Sequence, residues 1–390
     1  MKKKIAILGS TGSIGKSLLK IIKKDKKNFQ IKFLSANKNY RELFKQAKFF
    51  NVKNVILTNK RAFFKSESLF KKNKINIHNN YNAIDNFLNS KLDYAMSSIV
   101  GIDGLVPTFK IIKHTNNIAI ANKESIICGW NLIKKELDKY KTKFIPVDSE
   151  HFSIWYAIKN NSYKNIKKIY LTASGGPLLN VPIKKFNELK IKNIIKHPTW
   201  SMGKKISVDS STMMNKVFEI IEAKKIFDLK YSQLSILIHP KSYLHAVILF
   251  KDRMIKIIAH DTTMDIPIFN TLYSKINLDE RKNKSFDLDL IKINNLSLSK
   301  IDEDKFPVIH LLKNLPIKNS LYETIIVTTN DILVDLFLRK KIKYTEISYL
   351  LLKFINLREF KQYKKISPKK IEDIVKLRDY VRLKFNTMSV

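Results

Sequence analysis

A short apolar run at residues 4–8 is followed at once by Gly9-Ser10-Thr11-Gly12-Ser13-Ile14-Gly15 and then by an amphipathic stretch at 16–24. Strand, glycine turn and helix in that order make a βα unit, and the unit recurs. Apolar strand patterns lie at 31–35, 54–58, 94–100 and 117–121, with helical patterns between them, notably at 41–50 and 105–113. Regular alternation of this kind predicts an α/β fold with a parallel, doubly wound, Rossmann-like sheet over about the first 145 residues.

The rhythm then changes. A strand pattern at 143–147 runs into Asp148-Ser149-Glu150-His151, followed by a helix at 151–159, a strand at 168–171 and a polar turn at 172–177. A loop at 197–205, a helix at 212–227 and strands at 234–239 and 245–250 complete a central α+β domain. Residues after Tyr273, nearly aperiodic at 287–302, read as a connector. Helical patterns at 322–339, 345–356 and 368–384 predict a C-terminal helical domain, the last helix capped by Ser367 with Pro368 in its first turn.

At 390 residues the chain has room for two or three domains with separate cores. Hydrophobic residues at 44%, with only 9 Gly and 10 Pro, exclude a disordered, collagen-like or low-complexity chain. The single cysteine, Cys128, allows no internal disulfide and no cysteine-ligated cluster, which fits a reducing compartment. No apolar run reaches the roughly 18–20 residues of a membrane helix, and a strand pattern from Lys4 leaves no leader segment. The expectation is a cytoplasmic protein without a membrane partner.

The net charge of +39 points at first to nucleic acid. Only eight of the 73 basic residues are Arg, however, and Lys is spread along the chain together with abundant Asn and Ile. All three have AT-rich codons, so compositional drift accounts for the charge, whereas a nucleic-acid surface would concentrate Arg and aromatics on one element. No specific nucleic-acid partner is expected.

The first glycine turn suits a dinucleotide pyrophosphate, because its bare positions let backbone N–H groups approach phosphate; a tight strand-to-helix turn without ligand is the alternative. The second strand ends in Ser35-Ala36-Asn37-Lys38-Asn39 with no carboxylate for a ribose 2′-hydroxyl, which favours NADPH over NADH; Lys38 as a solvated loop lysine competes. Asp148 and Glu150, two apart at a strand end, are expected to point to one side and to suit Mg²⁺ or Mn²⁺; a helix cap with a solvated neighbour is the plainer reading. Ser207 to Glu219 reads as a hydroxyl-rich helix start in which Asn215, Lys216 and Glu219 share a face. With Ser210 it could hold a phosphate monoester, Glu219 adding a third carboxylate to the cation; a capped helix with an exposed Lys–Glu pair is the other reading. Residues 172–177 form either a phosphate turn or a loop. Residues 197–203, with His197, Trp200 and Met202, form a closing lid or a loop pinned by a buried Trp. Asn122-Lys123-Glu124 follows an apolar strand at the sheet edge where α/β ligands bind, and His239 and His245 read as core or interface residues.

In their order and residues, Gly9 to Gly15, Ala121-Asn122-Lys123-Glu124, Pro146 to His151, Leu171 to Pro177, His197 to Met202 and Ile206 to Glu219 resemble the 1-deoxy-D-xylulose 5-phosphate reductoisomerase family over essentially the whole chain. The resemblance implies conversion of 1-deoxy-D-xylulose 5-phosphate to 2-C-methyl-D-erythritol 4-phosphate in non-mevalonate isoprenoid synthesis. It also implies NADPH with Mg²⁺, Mn²⁺ or Co²⁺, a V-shaped homodimer and sensitivity to phosphonohydroxamates. By position it implies metal ligation by Asp148, Glu150 and Glu219. Substrate contacts would come from Lys123, Ser149, Glu150, Ser174, His197, Ser210, Asn215, Lys216 and Glu219, with Ser174, Ser210, Asn215 and Lys216 nearest the phosphate. NADPH would be held by Thr11, Gly12, Ser13, Ile14, Asn37, Lys38, Asn39, Asn122, Glu124 and Gly203, with Lys123, Glu150 and His197 as catalytic residues and Lys123 and Glu150 handling protons. The implied division is a cofactor domain at 1–149, a catalytic and dimerisation domain at 150–273, a connector at 274–303 and a helical domain at 304–390. The chain departs from the family pattern at Ala173, Thr199, Ser211 and Asn37. It departs again at Thr329-Asn330-Asp331, where Ala-Asn-Glu is usual and only local packing is expected to change.

Two other classes remain. A semialdehyde or acyl-phosphate dehydrogenase would need Cys128 as nucleophile, and a basic nucleic-acid-binding module would need a concentrated surface.

Overall fold

Strands rich in Ile, Val and Leu with no polar alternation can be stable only where both faces are covered, and the N-terminal elements meet that condition. In the computed structural model, which describes residues 2–158, 163–200, 202–273 and 288–388, β1 (Lys3–Leu8) has Ile5 to Leu8 wholly buried. It is followed by α1 (Ser13–Lys24), β2 (Phe29–Ala36), α2 (Tyr40–Phe49), β3 (Asn54–Leu57), α3 (Lys60–Lys72) and β4 (Asn76–His78). Then come α4 (Ile84–Phe87), β5 (Tyr94–Ser97), α5 (Leu105–Ile112), β6 (Asn117–Ile120), α6 (Lys123–Tyr140) and β7 (Lys143–Pro146). Among the described residues these strands form one seven-stranded sheet in the order β4-β3-β2-β1-β5-β6-β7, parallel throughout. The order reverses at β1, so the glycine turn sits at the switch point where ligands of open α/β sheets bind.

The second set of elements is α7 (Ser149–Ile158), β8 (Ile166–Ala173), α8 (Ile191–Ile194), α9 (Lys204–Ser211), α10 (Met214–Ile226), β9 (Leu234–Ile238), β10 (Leu244–Phe250), β11 (Ile255–Ala259), α11 (Asp265–Leu272) and α12 (Leu290–Asn294). The sheet order is β11-β10-β8-β9, with β8 and β9 parallel and the other pairs antiparallel. Strand β9 alternates buried and half-buried residues, as expected of a sheet covered more heavily on one face. The C-terminal helices are α13 (Tyr322–Leu338), α14 (Tyr344–Ile355) and α15 (Ile371–Thr387).

The chain divides into two compact units. One holds Met1–Val147, Asn319–Val327 and Lys365–Val390, and the other holds Asp148–Lys318 and Thr328–Lys364. The fold is thus α/β, with a Rossmann-like N-terminal sheet, a mixed-sheet central part and C-terminal helices.

Four expectations are corrected. Strands β4 and β11 add to the expected set: β4 is three residues with a single Ile, whereas β11, Ile-Lys-Ile-Ile-Ala, has four apolar residues of five and a strand pattern as full as that of β9, with Ile255 and Ile257 exposed. The continuous helix expected at 212–227, preceded by a loop to 205, is two helices, α9 and α10, separated by Met213 in the left-handed region at φ 66°. The last helix begins at Ile371, with the Asp373 carboxylate accepting from the Lys369 and Lys370 N–H groups, and Pro368 lies outside it, its carbonyl bonded by Asn131 Nδ2 at 2.9 Å. Asp148 and Glu150 do not share a strand. Residue 159, the expected end of the helix at 151–159, and residues 274–287 of the expected connector lie outside the described residues.

Candidate active site

The glycine turn between β1 and α1 lies in the N-terminal unit. Gly9 has φ +83°, and a Cβ on Gly15 would come within 2.6 Å of the Gly9 carbonyl oxygen, so the turn from β1 into α1 closes only with these glycines. Gly12 is the residue before α1, and Thr11 to Ile14 form the turn and first helical positions. The turn is braced from β2: Ser35 Oγ accepts from Gly9 N at 3.1 Å and from the Tyr81 hydroxyl at 2.9 Å. Asn37, Lys38 and Asn39 are exposed just past the end of β2. Asn37 Nδ2 bonds Thr58 Oγ1 at 3.0 Å, and Asn39 caps α2 by accepting from Glu42 N. Asn122 caps α6 by accepting from Ser125 N at 2.6 Å, while its amide donates to Gly101 O at 2.9 Å and to Glu124 Oε2 at 3.1 Å. Lys123 is the first residue of that helix. Cys128 is buried inside the same helix, away from the exposed position an acyl-enzyme nucleophile requires.

In the other unit, Asp148, Glu150 and Glu219 present carboxylate oxygens that all lie within 4.8 Å of one another. Their convergence comes from a helix start and not from extended backbone. Strand β7 stops at Pro146, and α7 opens at Ser149. Asp148 Oδ1 accepts from Glu150 N at 3.3 Å, so the aspartate caps the turn that carries the glutamate. Glu219 arrives from α10, one turn beyond Asn215 and Lys216, with Asn215 Nδ2 bonded to Glu219 Oε1.

The exposed Lys–Glu pair is excluded, because Lys216 is 4% and Glu219 1% exposed. The Lys216 ammonium donates to Glu150 Oε1 at 2.9 Å and to Glu219 Oε2. Burial works against its charge, but the two carboxylates prevail and raise its pKa. Three carboxylates against one ammonium leave two formal negative charges in an all-oxygen donor set. That balance fits a hard divalent cation.

A second cluster stands beside the α9–α10 bend. His197 Nδ1 accepts from Thr199 N at 3.2 Å and from Trp200 N at 3.0 Å, so the ring proton is on Nε2, which donates to Ser174 Oγ at 3.0 Å. Ser174 Oγ also accepts from Gly176 N at 2.9 Å, which leaves the hydroxyl proton to be given to an anion. Burial depresses the His197 pKa to about 4. Ser210 is in α9, in a different helix from Asn215, Lys216 and Glu219, and Gly203 precedes that helix. Trp200 is half-buried, with its ring edge toward His245 at 6.1 Å between centroids.

Sequence reasoning assigned no role to His151. It is fully buried; Nε2 donates to the Glu219 carbonyl at 2.9 Å, and Nδ1 lies 3.2 Å from Asp148 Oδ1, so the ring stands between two of the clustered acids. Its place directly after Glu150 was the available signal. His245 and His260 stack with centroids 3.7 Å apart, both with pKa values lowered, first by burial.

Family-level comparison agrees along the chain. The family described as 1-deoxy-D-xylulose 5-phosphate reductoisomerase matches residues 5–129, its C-terminal domain residues 144–227, and a further DXP reductoisomerase C-terminal domain residues 261–384. The 1-deoxy-D-xylulose 5-phosphate reductoisomerase of Pelagibacter ubique is 58% identical over 390 residues, 100% of both chains. The protein of that name from Sulfurihydrogenibium sp. is 37% identical over 350 residues, 90% of this chain and 89% of its own. The Zymomonas mobilis enzyme solved with NADPH superposes with a TM-score of 0.87 at 27% identity, covering 100% of each chain. A reductoisomerase solved with NADPH, fosmidomycin and magnesium gives 0.89 at 29%, covering 99% of this chain and 98% of that one. The chain belongs to the 1-deoxy-D-xylulose 5-phosphate reductoisomerase family.

Proposed function

We propose that this protein rearranges and reduces 1-deoxy-D-xylulose 5-phosphate to 2-C-methyl-D-erythritol 4-phosphate, using NADPH and a divalent metal, in isoprenoid precursor synthesis. The observation that carries the reading is the gathering of Asp148, Glu150 and Glu219 within 4.8 Å around a buried lysine. Asp148, Glu150 and Glu219 would hold Mg²⁺ or Mn²⁺, with Co²⁺ also suited to the donors. When bound, that ion polarises the substrate's ketone and supports developing negative charge on oxygen.

Ser174, His197, Ser210, Asn215 and Lys216 bind the phosphate. Neutral His197 is a donor whose direction is set by two backbone amides, and it orients Ser174 toward the anion. Lys216 neutralises the phosphate and shares the charge of Glu150 and Glu219. Ser149 and Lys123 contact the sugar, and Lys123 and Glu150 move protons at its oxygens. Thr11 to Ile14, Asn37 to Asn39, Asn122, Glu124 and Gly203 bind NADPH, which supplies hydride. Lys38 pairs with the 2′-phosphate. Residues Trp200 and Met202 belong to a segment that excludes water.

The proposed division of labour is cofactor binding at 1–149, catalysis and dimerisation at 150–273 with Asp148 and Ser149 serving the latter, a connector at 274–303 and a helical part at 304–390, whose residues are shared between the two compact units. A homodimer is supported by the edge strand β11, where Ile255 is 56% and Ile257 51% exposed and adjacent Met254 65%. No helix among the described residues is long and apolar enough to cross a membrane; we place the protein in the cytoplasm.

The deciding assay follows NADPH absorbance with deoxyxylulose phosphate, with and without a chelator. Metal-dependent oxidation of NADPH with formation of the branched product is expected. Oxidation that needs neither substrate nor metal would overturn the proposal.

A further inference from the structure

Helix α9, Lys204–Ser211, carries Ser210, yet it is only eight residues long and has one fully buried aliphatic side chain, Val208. A helix that short does not hold itself, so its position is set by what it touches. On one side its backbone meets the turn that carries Ser174: a Cβ on Gly176 would lie 3.0 Å from Ser210 O and 3.2 Å from Ser211 Cα. On the other side it is held by side chains from the C-terminal helices. Asp209, 2% exposed, accepts from Asn330 Nδ2 at 2.7 Å and from Lys205 Nζ at 3.0 Å. Lys205 Nζ is also 3.0 Å from Asp331 Oδ1. The Tyr344 hydroxyl of α14 donates to Ser211 O at 2.7 Å, fixing the last carbonyl before the bend.

Asn330 is wholly buried, and its Oδ1 faces no donor among the described residues. Its Nδ2 is therefore committed to Asp209, because a flipped amide would set oxygen against carboxylate. Within Thr329-Asn330-Asp331, Asn330 is the residue usual there, and Asp331 stands beside the Lys205 ammonium of α9.

We propose that Asn330, supported by Asp331, is a positioning residue for the sugar phosphate: through Asp209 it sets the register of α9 and so the distance between the Ser210 and Ser174 hydroxyls. The proposal rests on the reading of Ser174, His197, Ser210, Asn215 and Lys216 as the phosphate side.

The test measures KM for deoxyxylulose phosphate, inhibition by inorganic phosphate, KM for NADPH, kcat and thermal unfolding in full-length protein. Asn330→Asp sets carboxylate against carboxylate and is expected to raise KM for the sugar phosphate and the phosphate inhibition constant together by about 10-fold, equivalent to one pairing of about 1.4 kcal/mol. KM for NADPH and kcat stay within about 2-fold, since a loss of uniform ground-state binding leaves kcat unchanged. The exchange Asp209→Asn with Asn330→Asp restores an amide–carboxylate pair and recovers most of the affinity. Unchanged phosphate constants in Asn330→Asp, a loss spread equally over NADPH and kcat, or no recovery in the exchange would each overturn the proposal. Where Asn330→Asp does not fold, Asp331→Asn is measured instead; a rise of about 3-fold in the same two constants supports the proposal and no change overturns it. Ser210→Ala is run in parallel. If it leaves the phosphate constants unmoved, the phosphate-side reading itself fails; if it moves them and the Asn330 variants do not, only the positioning role fails.

Discussion

Lys216 and Glu150 form an ion pair 2.9 Å long across 66 residues of sequence, and the same ammonium bonds Glu219. One lysine therefore restrains two of the acids that would ligate a cation. Removing the lysine leaves the buried carboxylates without their counter-charge, at a cost of about 3–5 kcal/mol, whereas removing Glu150 leaves the ammonium still paired with Glu219.

The first expectation concerns Glu150→Gln. Loss of one charged oxygen donor weakens Mn²⁺ binding and lowers turnover by at least about 100-fold, which is roughly 3 kcal/mol of transition-state charge stabilisation. NADPH affinity, measured by fluorescence titration, stays within about 2-fold, since that side is built from other residues. Unchanged turnover would remove Glu150 from the metal cluster.

Lys216→Met gives effects of opposite sign on two ligands. KM for the sugar phosphate rises about 10- to 100-fold through loss of a charge-assisted contact. Mn²⁺ affinity in the absence of substrate increases, because three carboxylates lose their internal cation. The apo-protein melts at lower temperature, and saturating Mn²⁺ recovers the difference. A fall in Mn²⁺ affinity would contradict this charge balance.

His197 gives a pH signature. Its folded pKa of about 4 lies below the ordinary 6.5, so the folded state favours the neutral ring. The corresponding stability is complete above pH 6.5 and is lost as pH falls toward 4. Allowing for the solvent that still reaches the ring, the loss is about 1–2 kcal/mol. Urea midpoints at pH 7 and pH 5 should therefore differ more in the wild type than in His197→Gln; equal differences would exclude the effect.

Lys38→Ala tests cofactor choice. The residue is exposed beside Asn37 and Asn39. KM for NADPH is expected to rise about 2- to 5-fold, the value of one solvent-exposed charged contact to phosphate, with KM for NADH unchanged. Parallel changes in both would mean that Lys38 does not read the 2′-phosphate.

Residues close in sequence announced themselves. The glycines between β1 and α1, the apolar strands of the parallel sheet and the spacing that puts Asn215 and Lys216 on the face of Glu219 all follow from local periodicity and backbone sterics, which a sequence displays directly. The pairing of Asp148 and Glu150 is legible in the sequence but its geometry is not, since extended backbone and a capped helix start both bring such residues together. Only the tertiary structure decided that these two acids meet Glu219, that Lys216 stands among them, that α9 and α10 part at Met213, and that Asn330 reaches Asp209 across 121 residues. Those arrangements depend on how separately formed elements pack. Packing energy is spread over many apolar contacts, and no short stretch of sequence contains it.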